Sequence, residues 1–470
     1  MIIFELNTRV YGKRFDKITD KELKQWAALG FDWIWLMGIW HISPATRTTS
    51  KKLAPDFEGS PYAIAEYEVS KELGGEKAFR ELVERAHQAG LRVMADFVPN
   101  HMALDSPLID AHPEYFIHSN PALRDERWED YFQHGCGRRL AHGRDPYFAG
   151  WTDTVQLDYT HPELRAHQIG VLKRLAGMVD GLRCDMAMLV LRDQIKSQWF
   201  PSIDWQTFNY HFPQEFWSEA ISTVKQLRND FIFMAEVYWD KESYLQQLGF
   251  DLTYNKKLYD LLAHNVAPQE IASYLQNTAN QYLAHSIHFL ENHDEERAMV
   301  RFGSRQRAAA TLSYTILGVP FLHQGQMEGL TEKLPVQRIR PLREEQADKT
   351  LQKFYTKLLE CVKTPLFREG EMLTLGVQMD TVLIRRHYQG ETALVGIDTT
   401  GNHLVGERNF LLSYEQLGFP IGTPLRCLDL WTGKELSKVW QEQGDFRFSP
   451  IKLLSWQENG AFMLHFAKKA

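Results

Sequence analysis

Eight short runs of β-branched and aromatic residues, separated by longer stretches with apolar residues at helical spacing, are the feature that most constrains how this chain can fold. The runs are Ile2 to Leu6, Phe31 to Leu36, Leu91 to Val98, Gly181 to Asp185, Phe231 to Val237, Phe250 to Tyr254, Ser286 to Leu290 and Val319 to Leu322. Between them lie amphipathic stretches such as EKAFRELVERAHQAG, HPELRAHQIGVLKRLAGM, PQEFWSEAISTVKQL and ADKTLQKFYTKLLEC. Such alternation builds a parallel sheet from βα units, and eight of them predict an α/β fold, a closed (β/α)8 TIM barrel.

Two segments depart from the repeat. The connection after the third run is long and rich in Pro, Gly, His, Asp and aromatic residues, so it is expected to form an irregular lobe over the barrel mouth. After about Pro365 the helical signal ends, and TVLIRRHY, TALVGID, LRCLDLW and AFMLHFA alternate in the manner of antiparallel strands. The expected organisation is a barrel over residues 1–101 and 162–365, an inserted lobe over 102–161 and a C-terminal antiparallel β-sandwich domain over 366–470. No internal repeat is visible.

A net charge of -7 without a polybasic run argues against a nucleic-acid binder and favours a neutral substrate. The four cysteines, at 136, 184, 361 and 427, lack the paired spacing of metal sites or disulfide frameworks and read as small core residues in a reducing compartment. The opening MIIFELNTRVYG has neither the basic start nor the long apolar core of a secretory signal, and no apolar segment approaches the ~20 residues needed to span a bilayer. A cytoplasmic protein with no membrane partner is the expectation.

The chemistry is read from polar residues at the C-terminal ends of strands, because these face the mouth of such a barrel whereas the same groups within the strands would be costly to bury. The third strand ends in DFVPNH, with Asp96, Asn100 and His101, and the fourth is GLRCD, with Arg183 and Asp185. The fifth runs FMAEVYW, with Glu236, and the seventh FLENHDEER, with Asn292, His293 and Asp294. Residues two apart on a strand share a face, so Arg183 and Asp185 point together while Leu182 and Cys184 pack against the helices. The arginine is expected to hold the aspartate ionised.

These four segments, in this order, resemble the signature regions of the alpha-amylase family of glycoside hydrolases (glycoside hydrolase family 13), and the resemblance extends over most of the chain. It implies a retaining hydrolase of α-glucosidic linkages, of alpha-amylase or alpha-glucosidase type, working through a covalent glycosyl-enzyme. By the same resemblance Asp185 is the nucleophile, Glu236 the general acid/base and Asp294 the third carboxylate. Arg183, His101 and His293 match sugar-site positions, and Tyr62 in GSPY looks like an aromatic platform under the sugar ring. The implied substrates are an α-glucan, a maltooligosaccharide or another α-glucoside. No cofactor is required for the chemistry. Asn100 matches a calcium ligand of many members, with Asp145, Asp153 and Asp158 as candidate partners, although an amide hydrogen-bonded within its own turn is an equal reading.

The match departs from the family in two places. A Lys-His pair common three and four residues beyond the nucleophile is replaced by Met188 and Leu189, which counts against ordinary endo-acting starch hydrolysis. The closing segment GVPFLHQGQMEG carries His323 and Gln324 where aromatic residues are common, and the basic stretch KLPVQRIRPLR follows it without an evident role. Two other functions stay open: a glucosyl transferase or phosphorylase using the same glycosyl-enzyme, and a non-catalytic carbohydrate-binding or partner subunit. Duller readings of single residues are a structural Arg183–Asp185 ion pair, a helix-capping Glu236, a rim-capping His101, a surface Asp294 and a loop-packing Tyr62.

Overall fold

The computed structural model describes residues 1–119, 127–405, 409–436, 440–442 and 445–469. Eight parallel strands close a barrel: β1 (Ile3–Asn7), β2 (Trp33–Met37), β3 (Arg92–Phe97), β4 (Gly181–Cys184), β5 (Ile232–Ala235), β6 (Leu252–Tyr254), β7 (Ser286–His288) and β8 (Val319–His323). Each falls within or beside one of the eight expected runs. The strands are legible because both faces of a barrel wall are covered; all five residues of Trp33–Met37, for example, are buried. Going round the barrel the strands follow in chain order and β8 closes against β1, so β4 stands opposite β8 and β5 opposite β1.

The helices form for equally local reasons. Gly75–Gln88 buries Ala78, Phe79, Leu82, Val83 and Ala86, an i, i+3/i+4 stripe laid against the barrel. Asp20–Leu29 opens with a capping box between Thr19 and Glu22 and stops at Gly30, whose φ of 104 suits glycine. The long connection after β3 contains two short hairpins, His101–Ala103 with Thr154–Gln156 and Tyr131–Gln133 with Arg139–Ala141. The expected lobe also spans 120–126, which lie outside the described residues.

Two further insertions were not anticipated. The β4 connection carries a 3-10 turn, Ala187–Val190, and helices Arg192–Trp199 and Trp205–His211 before the expected helix Phe216–Leu227. The β2 connection carries helix Pro44–Leu53 and a hairpin, Trp40–Ile42 with Ile64–Val69.

The C-terminal segment forms a five-stranded antiparallel sheet and a three-stranded one. Alternate residues of the larger sheet enter two cores: Leu383, Leu394, Phe462 and Leu464 pack toward Phe410, Phe446 and Trp456, whereas Val382, Ile384, Val395 and Met463 join the barrel core. Arg386, fully buried, pins the sheet to the barrel by donating to the Thr315 carbonyl at 2.9 Å and the Gly370 carbonyl at 2.8 Å. None of the four cysteines is in a disulfide. Among the described residues no helix is long and apolar enough to cross a membrane.

Candidate active site

At the mouth of the barrel three of the sequence-derived residues, Asp185, Glu236 and Tyr62, meet one cation, Arg183. Arg183 is fully buried on β4, in register with Asp96 on β3 and Met234 on β5. Its Nη1 meets Asp185 Oδ1 at 2.5 Å, its Nη2 meets Glu236 Oε2 at 2.6 Å and its Nε donates to the Tyr254 hydroxyl at 3.3 Å. The guanidinium lies 5.1 Å from the ring centres of both Trp35 and Tyr62. The expected pairing with Asp185 is present, but the same guanidinium also serves Glu236, which side-chain alternation along one strand could not reveal.

One cation shared between two buried acids sets their protonation. Burial raises the Asp185 carboxyl above its ordinary value, against the pull of Arg183, so the arginine does not outweigh desolvation as expected. Burial also pushes Glu236 up to about 7; Arg183 opposes the rise, and the charges of Asp185 and Asp294 add to it. Glu236 is further fixed by the Met186 N–H, donating to Oε2 at 2.8 Å, and by the Tyr238 hydroxyl, donating to Oε1 at 2.9 Å. The Met186 amide reaches it because Met186 adopts a left-handed backbone, φ 40, immediately after Asp185.

The third carboxylate has the opposite setting. Asp294, with 47% of its side chain exposed, lies 2.8 Å from His293 Nε2. Partial desolvation raises its pKa, yet the charge and hydrogen bond of His293 leave it below its ordinary value. His293 stacks beside Tyr62, whose hydroxyl lies 2.8 Å from Nε2, and its Nδ1 meets Glu5 Oε1 at 2.6 Å. Burial disfavours the imidazolium, but Asp294 and Glu5 lift its pKa well above the usual histidine value.

Glu5 was missed at the sequence level. It sits in mid-strand on β1, in register with Trp35 and His323, fully buried, with Oε2 2.8 Å from His323 Nδ1. Burial acts against its charge, and the two histidines overcome that and hold the carboxyl low. The signal was available: a lone carboxylate in the apolar run IIFEL calls for a buried partner. Asp96, pushed up to about 6 by burial, accepts from Trp35 Nε1 at 3.0 Å and the Gly38 N–H at 2.9 Å.

His101 is 4% exposed, its ring 5.1 Å from that of Trp151, and burial lowers its pKa to about 4, so it is a neutral donor or acceptor. Asn100 accepts from Gln156 Nε2 at 3.0 Å, Asp145 caps the Tyr147 and Phe148 amides, and Asp158 caps Thr160. Asp145 and Asp158 thus cap their own turns and Asn100 is held by Gln156 from a neighbouring strand, and among the described residues no group of three or more His, Cys, Asp or Glu could hold a metal ion. Met188 and Leu189 are buried, at 0% and 1% exposure, so the departures at these positions are core residues of the β4 connection.

Comparison with known proteins agrees with this architecture. Residues 15–364 match the model of the alpha amylase catalytic domain. An alpha-amylase of Haloarcula japonica is 27% identical over 369 residues, covering 76% of this chain and 48% of that protein. The chain thus spans about half the length of that curated relative. An alpha-1,4-glucan:maltose-1-phosphate maltosyltransferase of Cereibacter sphaeroides is 41% identical over 96 residues, covering 19% of this chain and 14% of that protein. Among solved structures, a maltogenic alpha-amylase of Thermotoga neapolitana superposes with a TM-score of 0.75 at 23% identity, over 100% of this chain and 99% of that one.

Proposed function

The chain belongs to the alpha-amylase family of glycoside hydrolases, and on that premise we propose that it cleaves α-glucosidic linkages with retention, through a covalent glycosyl-enzyme on Asp185. The observation that carries the reading is the single buried guanidinium joined to Asp185 at 2.5 Å and to Glu236 at 2.6 Å. Two acids held by one rigid cation have a fixed separation and different roles, as a retaining mechanism requires.

Asp185 attacks the anomeric carbon while Glu236 gives its proton to the departing glycosidic oxygen, so the C–O bond breaks as the glycosyl ester forms. Water then enters on the leaving-group side. Glu236, now a carboxylate, takes its proton, and the new C–O bond forms as the ester opens and frees Asp185. A pKa of about 7 keeps Glu236 protonated for the first half and basic enough for the second. Asp294 and the His293 imidazolium, 2.8 Å apart, fit a role at sugar hydroxyls, where fixed charges stabilise the oxocarbenium-like transition state. Tyr62 and His101 complete the sugar-facing set. The substrates are maltooligosaccharides or other α-glucans. A sugar acceptor in place of water would give transfer from the same ester, a reading favoured by the 41% identity over 96 residues to a maltosyltransferase.

The test is incubation with maltooligosaccharides, sucrose and trehalose, with and without phosphate, following nascent products by NMR. An initial α-anomer is expected; an initial β-anomer would refute retention.

A further inference from the structure

The stretch KLPVQRIRPLR, without a role in the sequence, is built into a strap. It follows β8 and is fastened to the β2 connection: the Glu58 N–H donates to the Gln337 carbonyl at 2.8 Å, and Arg338 Nε meets Asp56 Oδ2 at 2.7 Å. The Arg338 guanidinium also covers the Phe57 ring at 5.5 Å. Its base is closed by Glu345, which accepts from the Thr331 and Glu332 amides at 2.9 Å each, and by Glu332, which accepts from the Leu342 amide at 2.9 Å. Arg297 anchors it below, donating to the Gln324 carbonyl at 3.0 Å and pairing with buried Glu291 at 3.0 Å. Under the strap lies a cavity of about 390 Å³, bounded by Asn7, His293, His323, Lys333 and Glu344.

The position of this cavity relative to the acids decides what it receives. A proton donor must stand on the leaving-group side of the scissile bond. Glu236 follows β5, and β5 lies across the barrel from β8, β1 and β2. The strapped side is therefore the glycone side, toward the non-reducing end of a bound chain. We propose that the strap fences this side, so that the site accepts only a free non-reducing end and works inward from chain ends, with Arg338 and Asp56 as specificity-determining residues. The inference rests on the glycosidase reading above and adds its direction and chain-end requirement.

The experiment compares an aryl maltoheptaoside with the same compound carrying an ethylidene block on its non-reducing glucose. The wild type should turn over the blocked chain with a kcat/KM at least about tenfold lower. Arg338→Ala and Asp56→Ala, which cut an exposed fastening and whose folding is checked by thermal melting, should narrow that ratio severalfold. On amylose the wild type should release reducing ends with little early loss of iodine colour, and the variants should lose colour sooner. Equal kcat/KM on blocked and unblocked chains, or a ratio unmoved by both variants, would overturn the fence. No turnover of the unblocked chain would instead overturn the glycosidase reading beneath it.

Discussion

The two halves of the barrel mouth treat their acids in opposite ways. On the β4–β5 half, burial pushes Asp185 and Glu236 up, because Arg183 is one cation for two carboxyls. Across the mouth, Glu5 and Asp294 are held down against desolvation, because Glu5 has two histidines and Asp294 has the His293 imidazolium. Depth does not explain the contrast, since Glu5 is as deeply buried as any residue in the barrel. The partners do: the histidines outweigh desolvation at Glu5 and Asp294, whereas Arg183 does not at Asp185 or Glu236. Asp185 and Glu236 thus change charge nearer neutral pH than Glu5 and Asp294 do, although Glu291, on the strapped side and paired with Arg297, is also pushed up to about 8 by burial. Surfaces differ too: the fixed half lies under an ion-paired strap, and the titrating half carries exposed aromatics, Tyr147 and Phe148, each 69% exposed.

The largest expected effect strikes the titrating half. Glu236→Gln should lower kcat/KM on maltooligosaccharides by about 10³–10⁵-fold, and far less on an α-glucosyl fluoride, whose leaving group needs no proton. Asp185→Asn should lower both alike, since the proposed nucleophile serves either substrate. Equal losses in Glu236→Gln would show that its proton is not the one transferred.

Next comes the fixed half. Glu5→Gln leaves His293 with Asp294 alone and should lower kcat/KM by about 10²-fold and stability by roughly 3 kcal/mol. The pH dependence has a definite sign. The raised His293 pKa contributes stability that is complete below about 6.5, its unfolded value, and is lost as pH rises through the folded value. The lowered Glu5 pKa contributes stability that is complete above about 4.3 and is lost as pH falls through its folded value. Chemical denaturation should therefore find the largest gap between wild type and variant between roughly pH 4.5 and 6.5. A gap that does not change with pH would mean the cluster is held by packing alone.

The same contrast governs what was legible in the sequence. Asp185, Glu236 and Asp294 stand at or just past strand ends, where a carboxylate interrupts an apolar run and draws notice. Glu5 interrupts such a run too, but in its middle, and its partners His293 and His323 are about 290 and 320 residues away, so only barrel closure of β8 on β1 brings them together. The second grip of Arg183, on Glu236, was hidden for a related reason: it depends on the lateral register of β4 and β5. The strands were legible because parallel strands are buried on both faces. Helices Arg192–Trp199 and Trp205–His211 were not, being only eight and seven residues long and too short for a stable periodic signal. The strap offered no periodicity at all, since carbonyls, carboxylates and guanidinium groups hold it.

Arg183 joins both acids, so weakening it should move a whole profile. In the wild type, activity should fall as pH rises through about 7, where Glu236 loses its proton. Arg183→Lys keeps the charge but not the two-pronged geometry, so both carboxyls should rise, shifting the acidic and basic limbs of kcat/KM together by about one unit to higher pH. Movement of the acidic limb alone would mean the arginine acts on Asp185 only, and the account of one cation serving two acids would fail.

The smallest effect tests whether the aromatic surface belongs to the leaving-group half. Trp239 stands three residues beyond Glu236 with a left-handed backbone, φ 63, followed by Asp240 at φ 58. Two consecutive non-glycine residues in that region cost energy and persist when the surroundings hold them, here an edge-on contact between the Trp239 and Tyr147 rings at 5.2 Å and 72°. The contact joins the lobe to the end of β5 beside Glu236, the proposed proton donor, which is where the first sugar of a leaving group would sit. Trp239→Ala should therefore raise KM for maltooligosaccharides by about three- to tenfold with kcat nearly unchanged, the signature of lost binding that is equal in ground and transition states. With a small aryl leaving group no sugar occupies that side, so the variant should match the wild type. An equal rise in KM on the aryl glucoside would place the ring on the glycone side, and the division of the mouth into a leaving-group half and a strapped half would have to be redrawn.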